Sequence, residues 1–434
     1  MNWPAYDSYR DTEEQWLARV PAHWELRPLG FHFTERKTTV SDTDYPPLSV
    51  TMGGIVPQLD TAAKTDNPEN RKLVLTGDFV INSRSDRKGS SGISDRDGSV
   101  SVISTVLEPR GIESRFVHHL LRSVAFQEEY YRFGSGIVAD LWSTRYSAMK
   151  QITLAVPTVE EQRSIANFLD RETAKIDALI GKQEQLIATL REDRVATITQ
   201  AVTKGLDPSV EMKNSGIDFV GEIPEHWDLR ALKRLVTRVD QGVSPQASAE
   251  LADDGWGVLK SGCVNGGVFR DTEHKKLPAD FEIDDDITVR PGDLLVCRAS
   301  GSANLVGSAA IVRSLRYQLI LSDKTFRIIA NQLCMPDYLE WAMNARPYRE
   351  QVLGAISGAE GLANNLPMSS LRRFLFAVPP FSEQKEIVAH LDNRCAKVDA
   401  LIDKAAAMIG TLREYRSALI TDAVTGKIDV RGVA

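Results

Sequence analysis

The sequence predicts an α+β protein: two mixed α/β domains joined by two long helices that pair as an antiparallel coiled coil, with a pseudo-two-fold internal repeat. Three observations predict it. The chain repeats its own frame: Ala155-Val156-Pro157 returns 222 positions later as Ala377-Val378-Pro379. The match runs on through Glu161-Gln162 and Glu383-Gln384, then Leu169-Asp170 and Leu391-Asp392, to Ala201-Val202-Thr203 and Ala423-Val424-Thr425. Each matching segment carries an apolar stripe at helical spacing. The stretches between them, nearly unrelated to one another, read as short strands punctuated by Gly-containing turns.

A second marker opens each copy: Pro21-Ala22-His23-Trp24-Glu25-Leu26-Arg27 recurs as Pro224-Glu225-His226-Trp227-Asp228-Leu229-Arg230. Trp24 and Trp227 are expected to pack at the start of their domains rather than to stack on a ligand. Further along, Leu73-Val74-Leu75-Thr76-Gly77-Asp78-Phe79-Val80-Ile81-Asn82 reads as strand, turn, strand. Its counterpart is Ile287-Thr288-Val289-Arg290-Pro291-Gly292-Asp293-Leu294-Leu295-Val296, through the same Gly-Asp turn. A polar loop follows each, with Arg84, Arg87, Lys88 and Ser90 in the first and Arg298, Ser300, Ser302 and Asn304 in the second.

The first long helix is announced by Thr158-Val159-Glu160-Glu161, the form of a capping box, directly after Pro157. Its stripe is Ile165, Leu169, Ile176, Ile180, Ile187, Leu190 and Ile198, and Lys204-Gly205 with Asp207-Pro208 ends it. In the second copy Ser382 is the expected N-cap, and Ile387, Leu391, Val398, Ile402, Ile409, Leu412 and Ile420 carry the stripe. Some 45 residues rising ~1.5 Å each give a helix of ~65 Å, too long to stand without a partner, and the nearest partner is the other copy. Antiparallel pairing asks only that the ends of the intervening domain lie close together; it also brings the chain's two ends to one place. The expected boundaries are residues 1–156 for the first domain, 157–205 for the central helix, 206–378 for the second domain with its linker, 379–426 for the C-terminal helix and 427–434 for a tail.

Composition narrows the function. The 434 residues are 42% hydrophobic and 26% charged, enough to build real cores. No signal peptide opens the chain and no apolar run approaches a membrane span, and Cys263, Cys297, Cys334 and Cys395 form no C-x-x-C pair. A cytoplasmic protein with reduced thiols is expected. The net charge of −7 argues against a uniformly basic nucleic-acid binder, yet a local basic surface can sit on an acidic body. Enzyme signatures are missing: there is no G-x-x-x-x-G-K-[ST] and no H-E-x-x-H. His118-His119 point apart on a helix, so a metal site there is not expected. Val378-Pro379-Pro380-Phe381 is similar to the Asn/Asp-Pro-Pro-aromatic motif of adenine methyltransferases, but Val378 has no oxygen to accept a hydrogen bond from the amine.

The order of variable domain, helix opened by Pro…Glu-Gln, variable domain, helix opened by Pro-Pro…Glu-Gln resembles the specificity subunit of type I DNA restriction–modification systems. Ser215-Gly216-Ile217 leading to Gly221-Glu222-Ile223-Pro224-Glu225-His226-Trp227 resembles the opening of that family's target-recognition domains. Arg10-Asp11-Thr12-Glu13-Glu14-Gln15-Trp16 lacks the Ser-Gly and departs from it. The resemblance implies a non-catalytic subunit, serving defence against foreign DNA, whose domains each read one half of a split, asymmetric sequence in double-stranded DNA. It implies that the helices set the spacing and dock two modification subunits, and that restriction subunits, where present, translocate and cleave. No cofactor is expected on this chain; S-adenosylmethionine, ATP and magnesium belong to the partners. The loop residues Arg84, Arg87, Lys88, Ser90, Arg298, Ser300, Ser302 and Asn304 have the chemistry to reach phosphates or base edges. On the helices Glu161, Gln162, Glu383 and Gln384, with Lys175, Arg191 and Arg194, are the expected contacts to modification subunits. Two rival readings are a symmetric scaffold that reads no DNA and a degenerate stand-alone methyltransferase or nuclease.

Overall fold

A computed structural model describes residues 3–60, 67–136, 142–356 and 364–432. The chain forms two compact units, one made of Met1–Glu184 with Ala406–Ala434 and the other of Gln185–Ala405. At the heart of the first lies an antiparallel four-stranded sheet in the order Ser91–Ile93, Phe79–Asn82, Ser104–Pro109, Phe33–Glu35. The second contains the same sheet, ordered Ala309–Ile311, Leu294–Cys297, Thr325–Ala330, Val236–Gln241. The repeat therefore extends into stretches whose sequences look unrelated. The reason is burial: Phe79, Val80, Ile81 and Leu294, Leu295, Val296 are buried on both faces. Such strands keep their apolar character while their identities drift.

The Gly-Asp turn before each central strand explains itself. Gly77 and Gly292 adopt φ of +92° and +96°, where a Cβ is strained. The next carboxylate ties the turn: Asp78 Oδ2 accepts from the Leu75 amide at 2.9 Å, and Asp293 Oδ2 from the Arg290 amide at 2.9 Å. Each aspartate needs a counter-charge, and the units supply it differently. Arg36 pairs with Asp78 at 2.7 and 3.0 Å. In the second unit Asp240 takes the register of Arg36, and Arg327, one strand over, lies 2.7 Å from Asp240 and 3.4 Å from Asp293.

The peripheral strands diverge. A three-stranded sheet in the first unit is wholly antiparallel, whereas its neighbour in the second pairs Trp256–Leu259 with Gln318–Ile320 in parallel. The two markers of each copy meet as one ribbon, Glu25–Pro28 on Thr153–Val156 and Asp228–Ala231 on Leu375–Val378. Each domain thus begins and ends at one place.

The long helices run Val159–Lys204 and Phe381–Val424. In the first unit Ile165, Leu169 and Ile176 share a core with Leu419, Ala423 and Val424. Asp177 pairs with Arg416 at 2.9 Å and Glu184 with Arg413 at 3.2 Å, so the helices run antiparallel there. In the second unit Ile198, Ala201 and Val202 share a core with Ile387, Leu391 and Cys395, again end against beginning. Val398 and Ile409 are buried too, whereas Ile180, Ile187, Leu190, Ile402, Leu412 and Ile420 are half-buried, as seam residues of a two-helix pair remain. Cys395, Ala405 and Leu419 are buried on this face although the apolar stripe leaves them out, and Leu419 is deeper than Ile420. Ser382 is not the N-cap: the Gln384 amide donates to the Pro380 carbonyl, which places Ser382 inside the first turn. No helix among the described residues is long and apolar enough to cross a membrane, and the four cysteines are buried and unpaired.

The chain's two ends meet in the first unit. The Asp429 amide donates to the Pro4 carbonyl at 2.7 Å, the Tyr9 hydroxyl to the Lys427 carbonyl at 3.1 Å, and Val430 is buried. Ala434, expected to lie near the first residues, falls outside the described residues, as do Met1 and Asn2. A circular permutant that joins the ends and opens at the exposed Asp207-Pro208 is expected to fold. Its thermal unfolding should be cooperative and within a few degrees of the parent; a molten or insoluble permutant would contradict this packing.

Candidate nucleic-acid interface

In the first unit the loop leaving the central strand Phe79–Asn82 borders a cleft of about 750 Å³. Its walls come from five separate places in the chain, and five cations line it: Lys37, Lys72, Arg84, Arg145 and Lys150. The one acid there, Glu35, lies 3.5 Å from both Lys37 and Lys72. Arg84, Arg145 and Lys150 are exposed and have no carboxylate partner among the described residues. The frame beneath them is rigid. Asn82 Oδ1 accepts from the Arg84 amide, Arg84 bridges to Ser143, the Thr144 amide donates to the Ser83 carbonyl, and the Tyr146 hydroxyl donates to the Phe33 carbonyl at 2.7 Å. Burial, with Glu35 nearby, raises the Tyr146 phenol above its ordinary value, so it remains a donor. A cleft with unpaired guanidinium and ammonium groups on a fixed backbone is suited to a phosphate backbone and to base edges.

Of the loop residues expected from sequence, Arg84 lines this cleft and Arg87 is exposed beside Asp86. The other two are used internally. Lys88 Nζ lies 2.5 Å from Glu128 and over the Tyr131 ring, and Ser90 is buried. Lys37, Arg145 and Lys150 were not singled out, because cations scattered over more than a hundred residues leave no local signal.

The same corner exists in the second unit. The Arg84–Ser143 bridge corresponds to the pairing of Ala299 with Asn365. Strand register puts Gln241 where Lys37 stands and Lys324 where Ile103 stands; the repeat puts Pro367 at Arg145 and Arg372 at Lys150. Arg298 is half-buried, donating to the Asp323 carbonyl at 2.8 Å with its guanidinium over Phe326. Lys324 pairs with Asp323 at 2.9 Å. Ser300 is buried and accepts from the Ser302 amide, whereas Ser302 itself is exposed. Asn304 is exposed and lines a separate cavity of about 230 Å³ with Tyr348 and Arg349.

Of the helix-opening Glu-Gln pairs, Glu161, Gln162 and Gln384 are buried, which corrects the expectation that they touch another subunit, whereas Glu383 is half-buried. Glu161 is buried and accepts from the Trp24 indole at 3.1 Å and the Tyr6 hydroxyl at 2.7 Å, with His23 at 2.9 Å. Gln162, also buried, accepts from the Glu113 amide at the start of a short helix and donates to the Pro157 carbonyl. The second unit repeats this set: Trp227 donates to Glu383 at 2.9 Å with His226 at 2.7 Å, and buried Gln384 accepts from the Met335 amide and donates to Pro379. The buried Trp24 and Trp227 thus fasten the opening of each domain to the start of its helix. Arg194 is likewise engaged, 3.0 Å from Asp399 and over Trp341, and Lys175 pairs with Glu172. Other side chains of the helices do face solvent: Leu179, Met408 and Tyr415 in the first unit, and Leu186, Val195 and Leu401 in the second. In the second unit Arg191 and Val195 border a groove of about 860 Å³.

No protein-family model matches the chain. Among curated proteins it is 22% identical over 94% of its length to the type I restriction enzyme EcoKI specificity subunit of Escherichia coli K12, covering 90% of that protein. It is 21% identical over 96% of its length to the MjaVIII specificity subunit of Methanocaldococcus jannaschii, covering 95%. A further likeness, 26% identical over 55% of this chain, is to the EcoEI specificity subunit of Escherichia coli, of whose length it spans 40%. All three of these relatives are type I restriction-enzyme specificity subunits. Solved structures share the fold. A chain from work on complex assembly and conformational transition of the type I R-M system superposes with a TM-score of 0.69 over 93% of this chain and 98% of that one, at 15% identity. The HsdS subunit of Thermoanaerobacter tengcongensis matches with a TM-score of 0.50 at 16% identity, over 94% and 98%. The fold of these structures is thus retained here at low sequence identity.

Proposed function

We propose that this chain is the DNA-recognition subunit of a type I restriction–modification complex. Each domain reads one half of a bipartite, asymmetric site, and the paired helices set the distance between halves. The observation that carries this reading is the corner described above. One sheet, repeated in sequence-divergent halves, leads into a loop at the same position with different side chains, exposed Arg84 in one unit and buried Ala299 in the other, as two readers of two different half-sites require. Modification subunits dock on the solvent-facing apolar side chains of the helices, Leu179 and Leu401 being equivalent in the repeat, as are Leu186 and Met408. Buried Glu161, Gln162 and Gln384 serve the chain itself. Catalysis and the binding of S-adenosylmethionine, ATP and magnesium belong to the partners.

The test is co-expression with the methyltransferase subunit encoded in the same system, followed by mapping of methylated adenines across the host genome. A single two-part motif is expected, and Arg84→Ala with Arg145→Ala should weaken methylation at that motif without adding new ones. Absence of any motif from an intact complex would overturn the reading. Purification of this chain as a lone methyl-transferring enzyme would favour the stand-alone alternative instead.

A further inference from the structure

The two corners are built alike and charged differently. In the first unit the rim carries Arg84, Arg145 and Lys150, all exposed and without a carboxylate partner among the described residues, with Lys37 and Lys72 sharing Glu35. At the matching places the second unit has Ala299, Pro367 and Arg372, with Gln241 for Lys37. Of the cations it adds, Arg298 is engaged on a carbonyl and the Phe326 ring and Lys324 on Asp323, whereas Lys233, whose amide donates to the Arg372 carbonyl at the place of Gly30, is exposed. Arg372 and Lys233 are left as its exposed cations, against three on the first rim.

Resting on the DNA-recognition reading, we propose that the two units grip DNA by different physics. The first is the electrostatic anchor: Arg84, Arg145 and Lys150 neutralise phosphates and release condensed counterions. The second corner holds less free charge, on Arg372 and Lys233, and contributes more through polar contacts and shape, with Gln241 and Ser302 also exposed there. Electrostatic attraction acts over about 10 Å at moderate salt, whereas polar contacts form only on close approach. The first unit therefore captures the duplex, and the second completes the fit.

The slope of log affinity against log salt counts the phosphates neutralised, at roughly 0.9 per contact on B-form DNA. The full-length chain is titrated into a fluorescein-labelled mixed-sequence duplex across a salt series. Three substitutions in the first unit, Arg84→Gln, Arg145→Gln and Lys150→Gln, are expected to flatten the slope by about 2.5. The matching set Arg298→Gln, Lys324→Gln and Arg372→Gln should flatten it by no more than about 1. Replacing Arg84 and Arg145 by lysine preserves point charge and should retain the slope, which a merely structural role would not predict. Equal flattening by both sets, or none from the first, overturns the asymmetry while DNA binding stands. If the unsubstituted chain fails to bind the duplex even at low salt, the DNA-recognition reading falls, and this inference with it.

Discussion

Leu169→Asp is expected to unfold the first unit, and Leu391→Asp, its counterpart in the repeat, the second. Both leucines are fully buried where a long helix meets its own domain. An aspartate there either stays ionised without a partner or takes up a proton, and both routes cost several kcal/mol. A domain of this size has only about 5–15 kcal/mol in all, so the loss removes most of its margin. Ile180→Asp and Leu190→Asp should be milder, because those side chains are half-buried and water reaches the new carboxylate. Hydrogen exchange read separately for each unit checks this. Wild-type protection around Phe79–Asn82 in the Leu169→Asp protein would mean that the helix face is not a core.

Acid should part the two units. His118 is pushed down to about 3, mainly by burial, then by Arg122, whose guanidinium lies 2.7 Å from its ring, and by His119; Asp170 pulls weakly the other way and Arg416 adds to the depression. An unfolded histidine takes its proton near 6.5, whereas the folded one refuses it until far lower. Between those values the unfolded state binds more protons, so the first unit loses stability as pH falls below about 6.5, by up to ~1.4 kcal/mol per pH unit. The same place in the second unit holds Glu340, whose carboxyl is raised, chiefly by burial. There the folded state takes its proton first, and stability rises as pH falls through the folded value towards the unfolded one. His118→Gln should flatten the acid response of the first unit between pH 6.5 and 4.5. Parallel pH profiles for His118→Gln and the unsubstituted protein would refute the assignment.

The long helices were legible because their rule is local: apolar residues at threes and fours, no proline inside, and a Gly at each end with positive φ, Gly205 and Gly426. The common sheet was half legible, through the Gly-Asp turn alone, since buried strands constrain polarity more than identity. The burial of Glu161, Gln162 and Gln384 was not legible, for a physical reason. A charged residue in the first turn of a helix is normally solvent-facing, and nothing local reveals that Trp24 and Tyr6 converge on Glu161 from about 140 to 155 positions away. The cleft was the least legible part. Arg84 stands in a loop of obvious composition, but Lys37, Arg145 and Lys150 become neighbours only when the sheet and the ribbon close.

The junction of Asp429 with Pro4 sets an order for the birth of the molecule. The unit that contains Met1 also needs Ala406–Ala434, which leave the ribosome after every residue of the other unit. The other unit is complete in sequence once Ala405 has emerged. Although domains generally fold from the N-terminus onward during synthesis, here the half that is started first is finished last. Until Leu419, Ala423 and Val424 emerge, the first unit waits with Ile165, Leu169 and Phe168 lacking the helical turn that will cover them. A nascent chain arrested before Leu419 should therefore present a closed second unit and an open first one.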